Sequence, residues 1–140
     1  MTRARILVVD DEQVNVELLE GFLSRDYEVT GVNNGNEALL IVEKDPPDLI
    51  LLDIMMPDMN GYEVCKKLKE NPKTMAIPII MVTALREKED KIKAIEVYAD
   101  DFLSKPVDYY ELSVKVRSLL RVKQYHDALV GDSHFFREVQ

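Results

Sequence analysis

A chain of 140 residues is one domain's worth and little more, because compact domains usually run to about 100–150 residues. Apolar residues make up 46% and charged residues 31%, with only 5 Gly and 6 Pro, which excludes a disordered or repetitive chain. Lys and Arg total 18 against 26 Asp and Glu, and the net charge of −8 repels phosphate backbones and anionic lipid, so direct nucleic-acid binding by this segment is disfavoured. The single cysteine, Cys65, cannot form an internal disulfide, and the start Met1-Thr2-Arg3-Ala4-Arg5 has no signal-peptide core. No apolar run approaches the roughly 20 residues that span a bilayer. The expectation is a cytoplasmic protein without a membrane role in this segment.

The apolar pattern changes period at short, regular intervals. Ile6-Leu7-Val8-Val9 reads as a buried strand, and Val14, Val16, Leu18, Leu19, Phe22 and Leu23 follow at roughly helical spacing. Tyr27 to Val32 alternates weakly and ends in Asn33-Asn34-Gly35, after which Ala38, Leu39, Ile41 and Val42 predict a second helix stopped by Pro46-Pro47. Leu49 to Leu52 is another apolar run, Met56 to Gly61 a loop, and Tyr62, Val64, Cys65 and Leu68 a third helix ended by Asn71-Pro72. Ile77 to Val82 predicts a strand with Pro78 at its start, and Glu87 to Val97 a polar helix with Ile92 and Ile95 on its apolar face. Phe102-Leu103 is a short last strand, and Asp108 can cap a final helix through Leu112, Val116 and Leu119. Strands alternating with helices at short connections predict a doubly wound α/β/α sandwich: a five-stranded parallel sheet with five helices.

In such a sheet, ligands bind beyond the carboxyl ends of the strands. The first strand ends in Asp10-Asp11, the third in Asp53 and the fourth in Thr83-Ala84, and the fifth is followed by Lys105-Pro106. Three carboxylates, a hydroxyl and an ammonium therefore converge on one edge. Two like charges about 4 Å apart repel by roughly 4 kcal/mol at an effective dielectric near 20, so something cationic must compensate. Carboxylate oxygens with no His or thiolate nearby favour a hard divalent cation, and Mg²⁺ plus a phosphoryl group is the natural occupant. One carboxylate can then act as nucleophile toward phosphorus while Lys105 and the Thr83 hydroxyl bind the phosphoryl oxygens.

With these residues in this order, the chain resembles the receiver (CheY-like) domain of two-component response regulators over about residues 4–121. Asp10-Asp11, Asp53-Ile54-Met55-Met56-Pro57 followed by Gly61, Thr83-Ala84 and Lys105-Pro106 stand where that family's motifs stand. The resemblance implies that Asp53 is the phosphoacceptor and that Asp11, Asp53 and the Met55 carbonyl bind Mg²⁺, for which Mn²⁺ can substitute. Asp10 would assist through metal-bound water, Thr83, Ala84 and Lys105 would bind the phosphoryl oxygens, and Thr83 and Phe102 would form the switch. It also implies the flavodoxin-like strand order 2-1-3-4-5, a cis Lys105–Pro106 bond, a histidine kinase or phosphotransfer protein as donor, and no enzymatic activity beyond self-phosphorylation and dephosphorylation. An enzymatic output domain would lie beyond residue 140, and Gly61 to Leu68 looks like receivers attached to cyclic-di-GMP synthesising or degrading domains.

Each residue alone has an ordinary explanation: Asp10 and Asp11 as a helix cap and first-turn acid, Asp53 as a loop acid, Thr83 as a strand residue, Lys105 as a surface lysine. The ordered set argues against that coincidence. Cys65 and Met55, Met56, Met59 and Met81 read as packing residues, His126 and His134 have no visible metal partners, and Arg86 to Lys93 reads as a solvated helix face. Tyr98 stands where the family most often has glycine, at a place suited to a left-handed helix cap. Met55 and Leu85 flank the route of an attacking water without being able to orient it, which predicts slow autodephosphorylation. Leu112, Val116, Leu119, Val122, Tyr125 and Leu129 continue an apolar stripe beyond the domain, so residues 122–140 are expected to extend the last helix toward a second copy or an output domain, with Gly131 as a stop and Asp132 to Gln140 as the start of a linker. The competing readings are a phosphate-independent interaction module and a doubly wound enzyme. No glycine-rich phosphate turn follows the first strand, and Asp53-Ile54-Met55 lacks the Asp-x-Asp pair of haloacid-dehalogenase-like phosphatases.

Overall fold

The computed structural model describes residues 3–84 and 88–130. Leu85, Arg86, Glu87, Gly131, His134 and the stretch 132–140, which figured in the sequence reading, lie outside the described residues. Within them the order is β1 (Arg5–Val9), α1 (Gln13–Leu23), β2 (Glu28–Val32), α2 (Gly35–Lys44), β3 (Leu49–Asp53), α3 (Gly61–Glu70), β4 (Ile79–Thr83), α4 (Lys88–Glu96), β5 (Asp101–Ser104) and α5 (Tyr109–Val130). The strands form one sheet in the order β2-β1-β3-β4-β5, every neighbouring pair parallel. This is the doubly wound sheet that the alternating pattern predicts.

Strand alternation divides the core into two. Leu7, Val9, Ile50, Leu52, Ile79 and Met81 point to one face, where Ala38, Val42, Val64, Cys65, Leu68 and Ala94 from α2, α3 and α4 cover them. Ile6, Val8, Leu49, Leu51, Ile80 and Val82 point to the other, against Val16, Leu19 and Leu23 of α1 and Leu112, Val116 and Leu120 of α5. β3 and β4 are buried along their whole length, which is why they read as unbroken apolar runs. Each large aliphatic side chain buried this way contributes about 1.5–3 kcal/mol.

Local chemistry sets the helix ends. Asn34 accepts from the Glu37 N–H at the start of α2 (2.8 Å), Asn60 from the Glu63 N–H at α3 (3.0 Å), and Asp108 from the Glu111 N–H at α5 (2.8 Å). The N-cap of α1 is Glu12, so the cap reading of Asp10 and Asp11 does not hold. β4 begins at Ile79, leaving Ile77 and Pro78 just outside it. Two helix faces differ from expectation. Val14 and Leu18 are exposed on α1, whose buried side is Val16, Leu19 and Leu23 at i, i+3 and i+7. On α4 the buried residue is Ala94, whereas Ile92 and Ile95 face solvent.

α4 is held to α3 partly through polar contacts to its main chain. The Tyr62 hydroxyl donates to the Asp90 carbonyl (3.1 Å), and the Cys65 thiol lies 3.4 Å from the Val97 carbonyl. Burial pushes that thiol up to about 12, leaving Cys65 an unreactive packing residue. The end of α4 closes with two hydrogen bonds, Ala99 N–H to the Ala94 carbonyl and Tyr98 N–H to the Ile95 carbonyl, both 2.9 Å. This pair is the Schellman pattern, and it puts Tyr98 in the left-handed region at φ 66°. A side chain there carries strain of about 1 kcal/mol, and the Tyr98 ring is exposed, so little packing offsets it. Tyr98→Gly is therefore expected to raise the urea unfolding midpoint, by about 1 kcal/mol of stability; an unchanged or lower midpoint would contradict the cap assignment.

Candidate functional site

The parallel register brings four strand ends to one edge. Val9 pairs with Leu52, Asp53 with Val82, and Thr83 with Ser104, so the residues that leave β1, β3, β4 and β5 open on a common space. Asp10, one residue past β1, is 2% exposed, Asp53 closes β3 at 5%, and Thr83 closes β4 fully buried. Asp11 and Ala84 are exposed beside them. One carboxylate oxygen from each of Asp10, Asp11 and Asp53 lies within 4.8 Å of the other two.

Lys105 enters from the turn after β5. Its peptide bond to Pro106 is cis, and its N–H donates to the Thr83 carbonyl (2.8 Å), tying that turn to the end of β4. The ammonium lies 2.9 Å from Asp10 Oδ2 and 3.5 Å from Asp53 Oδ2. Asp10 Oδ1 accepts from the Glu12 N–H (2.9 Å) and faces Asn15 Nδ2 at 3.5 Å, while Asp53 Oδ1 takes the Met55 N–H at 3.4 Å. The loop from Asp53 to Gly61 is closed by the Gly61 N–H donating to the Ile54 carbonyl (2.9 Å). A Cβ at Gly61 would stand 2.3 Å from the Asp53 carbonyl oxygen, so only glycine allows α3 to start this close to the Asp53 backbone. In the sequence Gly61 stands out only by its spacing from Asp53, and that spacing gives no sign of this contact. The turn Asn33-Asn34-Gly35 likewise gives no sign that the Asn33 Nδ2 donates to the Asp10 carbonyl (3.2 Å).

The electrostatics follow from the burial. Desolvation and the neighbouring Asp10 charge lift the Asp53 carboxyl from 3.8 to about 6, against the opposing pull of Lys105 and the Met55 N–H. Burial works against the Lys105 charge, but Asp10 and Asp53 outweigh it and raise its pKa. Two buried carboxylates facing a third and sharing one lysine suit a hard, oxygen-seeking divalent cation such as Mg²⁺, since no imidazole or thiolate belongs to the cluster. The donor set fits that group. Met55 is exposed at the mouth, and Phe102 sits half-buried on β5 with the Lys91 ammonium 5.8 Å above its ring. His126 faces Asp127 at 3.5 Å, on the far part of α5.

A flavodoxin-like sheet with an acidic, lysine-bridged pocket at its carboxyl edge defines the class. The family model "Response regulator receiver domain" matches residues 6–117, and the chain belongs to that family. It is 50% identical over 127 residues to response regulator PleD of Caulobacter vibrioides, covering 90% of this chain and 28% of that protein. It is 43% identical over 118 residues to the alkaline phosphatase synthesis transcriptional regulatory protein PhoP of Bacillus subtilis, covering 84% and 48%. The chain thus spans less than half the length of these two relatives. Among solved structures it superposes on one described as a putative response regulator from Chloroflexus aurantiacus, with a TM-score of 0.82 and 36% identity, over 86% of this chain and 99% of that one. A CheY-like receiver domain protein from Methanospirillum hungatei gives a TM-score of 0.83 at 28% identity, over 89% and 99%. The chain is a two-component signalling domain of the response-regulator type.

The raised Asp53 pKa makes a stability prediction. The folded state holds the Asp53 proton more tightly than the unfolded chain, so this contribution favours folding below the unfolded value of 3.8 and is lost as pH rises through about 6. In the presence of a chelator at pH 7, Asp53→Asn is expected to stabilise the protein against urea by about 2 kcal/mol, and the gain should disappear near pH 4. A loss of stability at pH 7 would contradict the electrostatic picture.

Proposed function

We propose that this domain is a phosphorylation-controlled switch in which Asp53 accepts a phosphoryl group from the phosphohistidine of a histidine kinase or phosphotransfer protein. The observation that supports this most is the convergence of Asp53 with Asp10, Asp11 and Lys105 at one strand edge, three carboxylates in mutual reach with one ammonium across two of them. An Asp53 carboxylate oxygen attacks phosphorus, a new O–P bond forms, and the P–N bond to the donor imidazole breaks. Mg²⁺, or Mn²⁺ in its place, held by Asp11, Asp53 and the Met55 carbonyl with Asp10 acting through water, would neutralise the charge that gathers on the transferred group. Lys105 supplies a second cation to the phosphoryl oxygens, and the Thr83 hydroxyl and the Ala84 N–H donate to them. The domain acts on itself alone, accepting the group and losing it to water.

The switch reading follows from the same residues. Phosphorylation adds negative charge beside Asp53, Thr83 moves toward it to donate its hydroxyl proton, and the Phe102 ring takes the space vacated. The Phe102 ring lies between the end of the sheet and α4, so its movement reshapes the face made by α4, β5 and α5. The readout passes to a second copy or to an output domain. α5 runs unbroken to Val130 and exposes Val122, Tyr125 and Leu129 along its outer end, an apolar stripe of the kind that a partner helix covers. On this account residues 4–121 form the receiver unit and the later residues its connection. A cytoplasmic setting belongs to the same reading, and among the described residues no helix is long and apolar enough to cross a membrane.

Intact mass after incubation with acetyl phosphate and Mg²⁺ tests the function. A single phosphoryl adduct is expected on the wild type, none on Asp53→Asn and none with chelator; an adduct that survives either control, or none on folded wild type, contradicts it. Met55 cannot hydrogen-bond an attacking water, so Met55→Asn is expected to shorten the phosphoryl lifetime several-fold, read by the decay of the adduct. An unchanged lifetime would remove the water-orienting argument. Fluorine NMR of fluorophenylalanine-labelled protein should report a changed environment for Phe102 on adding beryllofluoride, and an unmoved resonance would sink the ring's switch role.

A further inference from the structure

Asn33, in the turn between β2 and α2, reaches across to the acidic pocket with an amide that the phosphoryl chemistry does not use. Its Nδ2 donates to the Asp10 carbonyl (3.2 Å) and to Gln13 Oε1 (3.0 Å). The base of this amide is fixed from both sides. The Asn33 N–H donates to Glu37 Oε2 (3.4 Å), and Asn34 next to it caps α2. The Asp10 N–H in turn donates to the Val32 carbonyl (3.2 Å), so the β1–α1 and β2–α2 turns are joined by hydrogen bonds on both sides of Asp10.

The carbonyl that Asn33 grips belongs to the peptide linking Asp10 to Asp11. The two carboxylates on either side of that peptide are held very differently. The Asp10 side chain is buried and bonded to Lys105 and the Glu12 N–H. The Asp11 carboxylate is exposed, and among the described residues no hydrogen bond or ion pair to it is found. Its position relative to Asp10 and Asp53 therefore depends on its backbone, and Asn33 is a side chain from another element that clamps that backbone. A ligand held in place before the cation arrives loses less conformational entropy on binding, which is the physical basis of outer-shell effects on metal affinity.

We propose that Asn33 is a positioning residue for divalent-cation binding: by clamping the Asp10–Asp11 peptide it keeps the Asp11 carboxylate within reach of Asp10 and Asp53. This rests on the reading of the three carboxylates as a cation site. Gln13 completes the clamp by holding the second N–H of the same amide, which sets the orientation in which the first meets the Asp10 carbonyl.

The test is calorimetric titration of Mn²⁺ into the 140-residue chain, comparing wild type, Asn33→Ala and Asp11→Asn, with urea unfolding in chelator and phosphorylation by acetyl phosphate alongside. Asn33→Ala is expected to weaken Mn²⁺ binding about tenfold, the low end of what outer-shell changes produce, with an unchanged unfolding midpoint in chelator. Its phosphorylation should be slow at limiting Mg²⁺ and return to the wild-type rate at saturating Mg²⁺. Mn²⁺ affinity equal to wild type, or a midpoint that falls in step with affinity, would overturn the proposal. So would a rate deficit that saturating Mg²⁺ does not remove. If wild type and Asp11→Asn bind Mn²⁺ alike, or neither binds it, the cation-site reading itself falls, which is a result distinct from failure of the Asn33 role alone.

Discussion

Two carboxylates, Asp10 and Asp53, are buried side by side at the end of a parallel sheet with one lysine between them, and the rest of the site depends on that arrangement. At a separation near 4 Å and an effective dielectric near 20, a pair of like charges repels by about 4 kcal/mol, comparable to a substantial part of a domain's net stability. Lys105 offsets part of this through contacts to both, and burial together with the Asp10 charge still lifts the Asp53 carboxyl to about 6. The pocket is thus prepared for additional positive charge. A fold tuned for stability alone would place neutral side chains at these strand ends, and keeping carboxylates there is the pattern of a functional site held at a stability cost.

The sheet explains how such an arrangement is maintained. β1 and β3 are neighbours in register, so Asp10 and Asp53 cannot drift apart without breaking the ladder between a strand buried along its whole length and one buried from Ile6 to Val9. The Gly61 contact sets α3 directly against the Asp53 backbone, and the Lys105 N–H to Thr83 bond does the same for the turn after β5. α4 differs in kind. It buries Ala94 and is tied to α3 through the carbonyls of Asp90 and Val97, with a strained tyrosine at its cap. Elements with little buried apolar area open and shift at lower free energy, which makes α4 a softer element than α3 or α5.

Much of this was legible from the chain. Strands buried on both faces leave unbroken aliphatic runs, so β1, β3 and β4 could be located, and the residues that end them pointed to the pocket. Tyr98 was visible as a departure from an expected glycine, and the structure places it in the left-handed conformation that makes the departure matter. Other features carry no periodic signal. Ile92 and Ile95 share one face of α4 as apolar residues at helical spacing, yet the side chain that α4 buries is Ala94. That Asp10 is buried while the adjacent Asp11 is exposed depends on how the turn leaves the sheet. The Asn33 amide on the Asp10 carbonyl spans 23 residues of chain between polar groups, and nothing in local sequence distinguishes that asparagine from an ordinary turn residue.

The central claim is that one particular carboxylate of the three carries the phosphoryl group. After treatment with acetyl phosphate and Mg²⁺, borohydride reduction converts an aspartyl phosphate to homoserine, and peptide mass mapping then locates the converted residue. The account predicts conversion at Asp53 and nowhere else. Conversion at Asp10 or Asp11, or a phosphorylated chain with all three aspartates intact after reduction, would contradict it.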